Sequence, residues 1–433
     1  MTTKPTYNHI PVFRFPEFQN DGEWKQLKFN DTFSFLPNNT LSRSELNYEK
    51  GIAQNIHYGD VLIKYGECVD VKKDVLPFIT EDAVAQKYQY AKLQNGDVVI
   101  ADTAEDETVG KCSEVIGLTD EFVVSGLHTM PVRPQIPFAQ PFLGYYLNSE
   151  SYRNQLRPLM QGVKVTSLSK SAISKTTIVC PKSIEEQRKI ASCLSVLAEM
   201  IAATKEKLEL LKAYKKGLMQ KLFPAQGKTM PDYRFKEFEK DGEWEIKKLS
   251  ELLFEHKTKS DGKCQVYSVS VSKGVINQME YLGRNFAAAD TSNYKLVKPY
   301  DIVYTKSPTG DFPYGIIKQS RIDHNVIVSP LYGVFSPINQ YIGYIVHSYF
   351  ESPTRTNNYL APIIQKGAKN TIQISNDVFL SQSVCFPTNE NEQCKIASCL
   401  LSLDETINAY SEKYTQLVQY KKGLMQQMFS TSK

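Results

Sequence analysis

Several stretches of this 433-residue chain carry the residue types that chemistry uses. Pro16–Lys25, PEFQNDGEWK, ends in the Glu-x-Lys spacing of acidic nucleases. The stretch recurs as KEFEKDGEWE, where Glu245 stands in place of Lys25, so one copy lacks the lysine such a site needs. VGKCS (Val109–Ser113) has the Gly-Lys pair of a phosphate-binding loop, without its first glycine or the Ser/Thr after lysine. There is no GxGxxG, and no Pro-Pro pair to build the Asn/Asp-Pro-Pro-aromatic motif of amino-methylating enzymes. The six histidines form no HExxH, and the eight cysteines form no CxxC. Cys193 and Cys399 fall inside helical patterns as small buried residues. The expectation is no metal site, no disulfide framework and no catalysis by this chain alone.

Recognition is better served. Two polar, turn-rich loops follow strand-like runs: Gly96–Gly117 offers Thr103, Glu105 and Thr108, and Tyr300–Lys318 offers Lys306, Ser307 and Thr309. Loops on a rigid scaffold concentrate binding, and these side chains suit base edges or phosphates. A second kind of loop, QGVKVTSLSK and QKGAKNTIQIS, places Lys164, Thr166 and Ser167, and Lys369, Asn370 and Thr371, after a glycine. Lysine beside hydroxyl and amide groups suits phosphate contact. Ordinary solvated loops would look the same.

The elements that must hold these loops are written twice. RFPEFQNDGEW (Arg14–Trp24) returns as RFKEFEKDGEW (Arg234–Trp244), and the only two tryptophans occupy equivalent places. Pro181–Phe223 matches Pro387–Phe429 at 24 of 43 positions without a gap, through the shared heptapeptide YKKGLMQ. The intervening segments diverge, so each half reads as a variable domain followed by a constant helix. The variable segments have strand-like runs at Asp60–Tyr65, Asp97–Asp102, Thr176–Pro181, Asp301–Lys306 and Asn325–Pro330, and one helix each at Phe142–Leu156 and Tyr341–Arg355. The fold class expected is mixed α/β (α+β), duplicated.

The constant helices carry heptads. Ile190, Leu194, Leu197, Ile201, Thr204, Leu208, Leu211, Lys215, Leu218 and Leu222 alternate steps of four and three. Ile396, Leu400, Leu403, Ile407, Tyr410, Tyr414, Leu417, Lys421, Leu424 and Met428 do the same. Such a pattern predicts a coiled coil, and the order of segments predicts an antiparallel, pseudo-two-fold pair about 48 Å long. Lys215 and Lys421 interrupt both seams, either fixing register or snorkelling to water.

A net charge of +4 excludes a polybasic nucleic-acid coat but not a specific binder, since clustering matters more than the sum. No run approaches the ~20 apolar residues of a membrane span, and MTTKPTYNHI has no signal-peptide core, so no membrane association and a cytoplasmic location are expected.

A glycine loop, a strand ending in proline, then EQ-x-KIA-x-x-L and a helix closing with KKGLMQ-x-x-F, all present twice, resembles the specificity subunit of type I restriction–modification enzymes. The resemblance implies target-recognition domain 1 at 1–183, a helical spacer at 184–229, target-recognition domain 2 at 230–388 and a C-terminal coiled-coil helix at 389–433. It implies that each domain reads half of a bipartite, asymmetric double-stranded DNA target. Two methyltransferase subunits and two restriction/translocase subunits are the implied partners. S-adenosylmethionine, ATP and Mg2+ would sit on those partners, with no cofactor on this chain. Tyr300, where the first copy has Gly96, loosens the match in the second half. A coiled-coil adaptor with two protein-binding modules is the alternative.

Overall fold

The computed structural model describes residues 9–162, 164–260, 262–282, 290–366 and 372–430. The chain divides into two compact units, Met1–Thr204 with Lys413–Lys433, and Lys205–Glu412.

The first unit contains β1 (Lys25–Lys28), β2 (Phe33–Phe35), β3 (Cys68–Asp70), β4 (Val98–Ala101), β5 (Thr103–Ala104), β6 (Cys112–Ile116), β7 (Thr129–Pro134), β8 (Thr166–Ser167) and β9 (Thr177–Cys180). The main sheet has the order β2-β7-β4-β6-β3, antiparallel except where β3 joins β6 in parallel. β4 is central and buried along its whole length, which suits its unbroken apolar run. β1 pairs with β9 and β5 with β8. Helix α1 (Phe142–Asn148) packs on β6. Gly144 lets it approach, because a Cβ there would lie 2.0 Å from the Glu67 carbonyl oxygen. Helix α2 (Ile184–Leu222) begins in this unit and ends in the other.

The second unit contains β10 (Glu245–Lys248), β11 (Leu253–Glu255), β12 (Ile302–Tyr304), β13 (Ile317–Gln319), β14 (Gly333–Pro337) and β15 (Ser383–Phe386), with helix α3 (Gln340–Tyr349). Its sheet order, β11-β14-β12-β13, reproduces β2-β7-β4-β6, and β10 with β15 reproduces β1 with β9. The duplication expected from the repeated ends therefore extends through the divergent middles. Helix α4 (Glu390–Phe429) begins here and ends in the first unit.

Within the first unit, Ile190, Ala191 and Leu194 near the start of α2 share one core with Met428 and Phe429 at the end of α4. Within the second, Ile396, Ala397 and Leu400 share a core with Met219, Leu222 and Phe223. The start of each helix thus lies beside the end of the other, which is antiparallel pairing. Every residue expected at the seam is buried or half-buried, including Leu197, Ile201, Leu208, Leu211, Leu218, Leu403, Ile407, Leu417 and Leu424. Outward neighbours such as Val196, Leu210 and Tyr420 are exposed.

Four local expectations need correction. Asp60–Tyr65 is not a strand: Tyr58–Ile63 is helical, capped by His57, whose Nδ1 accepts from Gly59 N. Val61 and Tyr65, four apart, are buried while Ile63 is 88% exposed, so the apolar run serves one helix face. Phe142–Leu156 is two helices, because Ser149 leaves the helical conformation and caps Glu150–Leu156. The counterpart breaks likewise, with Ser352 capping Pro353–Leu360. Cys193 and Cys399 are only partly buried, each one position outside the seam, and both are free thiols. Among the described residues no helix is long and apolar enough to cross a membrane.

Candidate nucleic-acid interface

The first two expected loops meet. β5 and β8 pair antiparallel, Thr166 opposite Ala104 and Ser167 opposite Thr103, so Gly96–Gly117 and the Gln161–Lys170 loop form one surface. Gly162 allows the second loop to turn: its φ is +113°, and a Cβ would lie 1.9 Å from the Val165 carbonyl oxygen. Glu105, Thr108, Lys164 and Ser167 are exposed and Thr103 and Thr166 half-exposed. Thr108 shapes the loop, since its N–H and hydroxyl both donate to Asp106 Oδ1, at 2.8 and 2.5 Å. Arg153 fastens the loop from behind through the Val109 carbonyl, at 3.2 Å.

In the second unit the corresponding loop joins β12 to β13. Ser307 and Thr309 are exposed, and Thr309 and Phe312 exchange backbone hydrogen bonds across the turn. Lys306 is half-buried with φ +55°, an uncommon conformation for a non-glycine residue. Gly315 makes room for it, as a Cβ there would lie 2.8 Å from Lys306 N. Burial, and then the charge of Lys295, push the Lys306 ammonium below its usual range, with Glu255 opposing. An ammonium so placed gains from an anionic partner. Lys369, Asn370 and Thr371 lie outside the described residues.

Sequence reasoning missed what the repeated ends do to each other. Glu186 receives Arg14 Nε and Nη2 at 2.8 and 2.7 Å and the Trp24 indole N–H at 3.0 Å. Glu392 receives Arg234 at 2.7 and 2.7 Å and Trp244 at 3.3 Å. The Arg-Phe…Asp-Gly-Glu-Trp motif is thus a socket for the glutamate that opens each long helix. Gln187 and Gln393 donate to the Pro181 and Pro387 carbonyl oxygens at 3.0 and 2.8 Å. Within the nuclease-like stretch it is Trp24, between Glu23 and Lys25, that has this structural use. Two motifs that both recur and are mutually complementary in charge were the signal available in the sequence.

The seam lysines do not snorkel to water: both are largely buried and ion-paired. Lys421 Nζ lies 2.7 Å from both carboxylate oxygens of Glu67, and Lys215 Nζ lies 2.5 Å from Glu351 and 2.5 Å from Asp404. Equivalent lysines therefore find acids at unrelated places in the two units. Phe429 packs edge-on against Phe142 and Tyr146, and its counterpart Phe223 against Tyr349.

Comparison with known proteins agrees with this construction. Residues 21–213 match the family model described as the type I restriction modification DNA specificity domain. A protein of Methanocaldococcus jannaschii, named as the MjaX specificity subunit of a type I restriction enzyme, is 28% identical over 177 residues. The match covers 39% of this chain and 40% of that protein, so the chain spans about two-fifths of the length of the curated relative it matches. The crystal structure of the type I restriction–modification S subunit from M. genitalium has the same fold, with a TM-score of 0.62 at 12% identity, covering 98% of this chain and all of the other (100%). The chain is thus similar, over residues 21–213, to the type I restriction modification DNA specificity domain.

Proposed function

We propose that this chain is the DNA-specificity subunit of a type I restriction–modification complex, without catalysis of its own. Each unit reads one half of a bipartite, asymmetric duplex target and so directs adenine methylation and restriction by its partners. The observation that carries this reading is the contrast within the duplication. The order of four main-sheet strands, the helix socket and helix-end docking are the same in both units, while the loops after β4 and β12 differ in sequence and conformation. Two readers of one design with different faces give two different half-sites.

On this reading two methyltransferase and two restriction/translocase subunits assemble on the chain. The methyl donor S-adenosylmethionine, ATP and Mg2+ belong to those subunits. The near-neutral charge fits partners that share in phosphate neutralisation. The test is to map adenine methylation in DNA from cells carrying the methyltransferase partner with and without this chain. A bipartite adenine-methylated motif that depends on the chain is the expected result. No such motif would sink the reading and favour a protein-binding adaptor.

A further inference from the structure

The surface beside Thr103 carries further polar and aromatic side chains. The Thr103 hydroxyl donates to Asp102 Oδ1 at 2.8 Å and lies 3.5 Å from His128 Nδ1, itself 3.4 Å from Asp102 Oδ1. His128 has φ +53° and is held there by its carbonyl, which accepts from Asp102 N at 3.1 Å. A non-glycine residue kept in this region costs free energy and persists where the surroundings over-determine it, a condition frequent at ligand-binding positions. The His128 side chain is nonetheless 47% exposed, so the cost is not offset by burial.

From His128 the array continues outward. Its ring meets Tyr58 edge-on at 5.3 Å, and Tyr58 lies against His57 at 4.7 Å. Beyond His57 stands Arg43. Arg43 Nη1 is 2.8 Å from Asp60 Oδ2, and Nη2 is 3.4 Å from His57 Nδ1. Because His57 Nδ1 already accepts from Gly59 N, it serves as an acceptor for the guanidinium as well. Burial, and then the Arg43 charge itself, keep His57 below its usual range and therefore in the neutral form that can accept. One end of the guanidinium is thus fixed on the buried Asp60, while the side chain is 45% exposed. Among the described residues, no hydrogen bond is made by Arg43 Nε.

An arginine anchored through one edge and open along another is a rigid, planar pair of donors. That is the geometry that selects the O6 and N7 acceptors of guanine in a major groove, and a lysine cannot reproduce it. Among the described residues, the second unit carries no such array at the corresponding strand ends. By strand register Lys306 follows β12 where Asp102 follows β4, and Leu331, 78% exposed, stands where His128 does. A leucine there offers only apolar contact, as to a thymine methyl.

We propose that Arg43 and His128 are base-reading residues of the first unit, with Arg43 selecting a guanine in the first half-site. This rests on the DNA-specificity reading. The test uses the full chain with its methyltransferase partner in cells lacking other adenine methylation, and maps the methylated motif for the wild type, R43K and H128L. R43K keeps the charge and the contact to Asp60, and H128L installs the residue of the second unit. Thermal unfolding of each purified chain confirms folding.

For R43K, the expected result is that preference at one G·C pair of one half-site falls about ten- to a hundred-fold, with the other half-site and the gap unchanged. H128L is expected to alter a neighbouring position of that same half-site. An unchanged motif in a folded R43K chain overturns the proposal. So does a uniform loss of methylation across sequences, which marks a phosphate contact instead. Absence of any motif with the wild-type chain instead defeats the underlying specificity reading.

Discussion

Arg14 and Glu186, 172 residues apart in the chain, form a two-pronged ion pair of 2.8 and 2.7 Å whose side chains are 7% and 1% exposed. The pair ties the first strand region of the unit to the first turn of its long helix, and Arg234 with Glu392 repeats it. Removing one partner of a buried pair strands the other charge, at a cost of about 3–5 kcal/mol. R14A is expected to destabilise the first unit by that order and R234A the second. Hydrogen exchange resolved by segment reads the two separately, and equal loss in both units from R14A alone would contradict the local role.

Glu114 carries a pH dependence. It lies on β6 with Oε2 2.8 Å from Gly144 N, supporting the first turn of α1, which Pro141 leaves without a side-chain cap. Burial pushes its carboxyl up to about 8, against the Gly144 and Leu143 N–H groups. A raised folded-state value means that the native chain binds the proton more tightly than the unfolded chain. Its stabilising contribution is therefore full below about 4.5 and lost as pH rises to about 8. The slope is about 1.4 kcal/mol per unit at most. The second unit already has Gln319 at this place, donating to the Gln340 carbonyl oxygen. E114Q is expected to match the wild type near pH 4.5 and exceed it increasingly towards pH 8, by denaturant unfolding across that range. A constant difference would remove Glu114 as the cause.

The two helix glycines should respond unequally to alanine. At Gly144 an added Cβ meets the Glu67 backbone oxygen at 2.0 Å, whereas at Gly343 the nearest atom is Gln319 Nε2, at 2.5 Å, on a side chain that can move. G144A is expected to cost about 1–3 kcal/mol and G343A less. Thermal unfolding ranks them, and the reverse order would contradict the packing account.

On the proposed function, spacing between half-sites is testable through the two long helices. Because each helix begins in one unit and ends in the other, a heptad inserted in α2 alone would misplace Leu218, Met219 and Leu222 in their core. Inserting one heptad into both α2 and α4 is expected to lengthen the preferred gap by about 3 base pairs, from ~1.5 Å per residue and ~3.4 Å per base pair. Methylation mapping of the variant measures it, and an unchanged gap rejects the two helices as the spacer between half-sites.

Exchange of Gly96–Gly117 is expected to change one half-site and leave the other intact. Mapping the motif of the exchanged chain decides this, and loss of both half-sites would contradict independent readers.

The duplication, the heptad seam and the absence of familiar catalytic motifs could be read from residue order alone. Those features are periodic or repeated, and periodicity survives without coordinates. Ile190 and Leu194 were legible as seam because a four-three spacing puts them on one helix face whatever they meet. Asp60–Tyr65 was misread because a short apolar run fits a strand or a helix face equally, and only the His57 cap and the burial of Val61 and Tyr65 decide. Tertiary structure alone brought Arg14 to Glu186, Lys421 to Glu67, and Arg43 to the surface where Thr103 lies. These are contacts between residues distant in the chain, with no spacing rule to announce them. Which lysine finds which acid depends on how a shared sheet is decorated in each unit. Local order determined what this chain is built from, and packing decided which of its side chains meet one another.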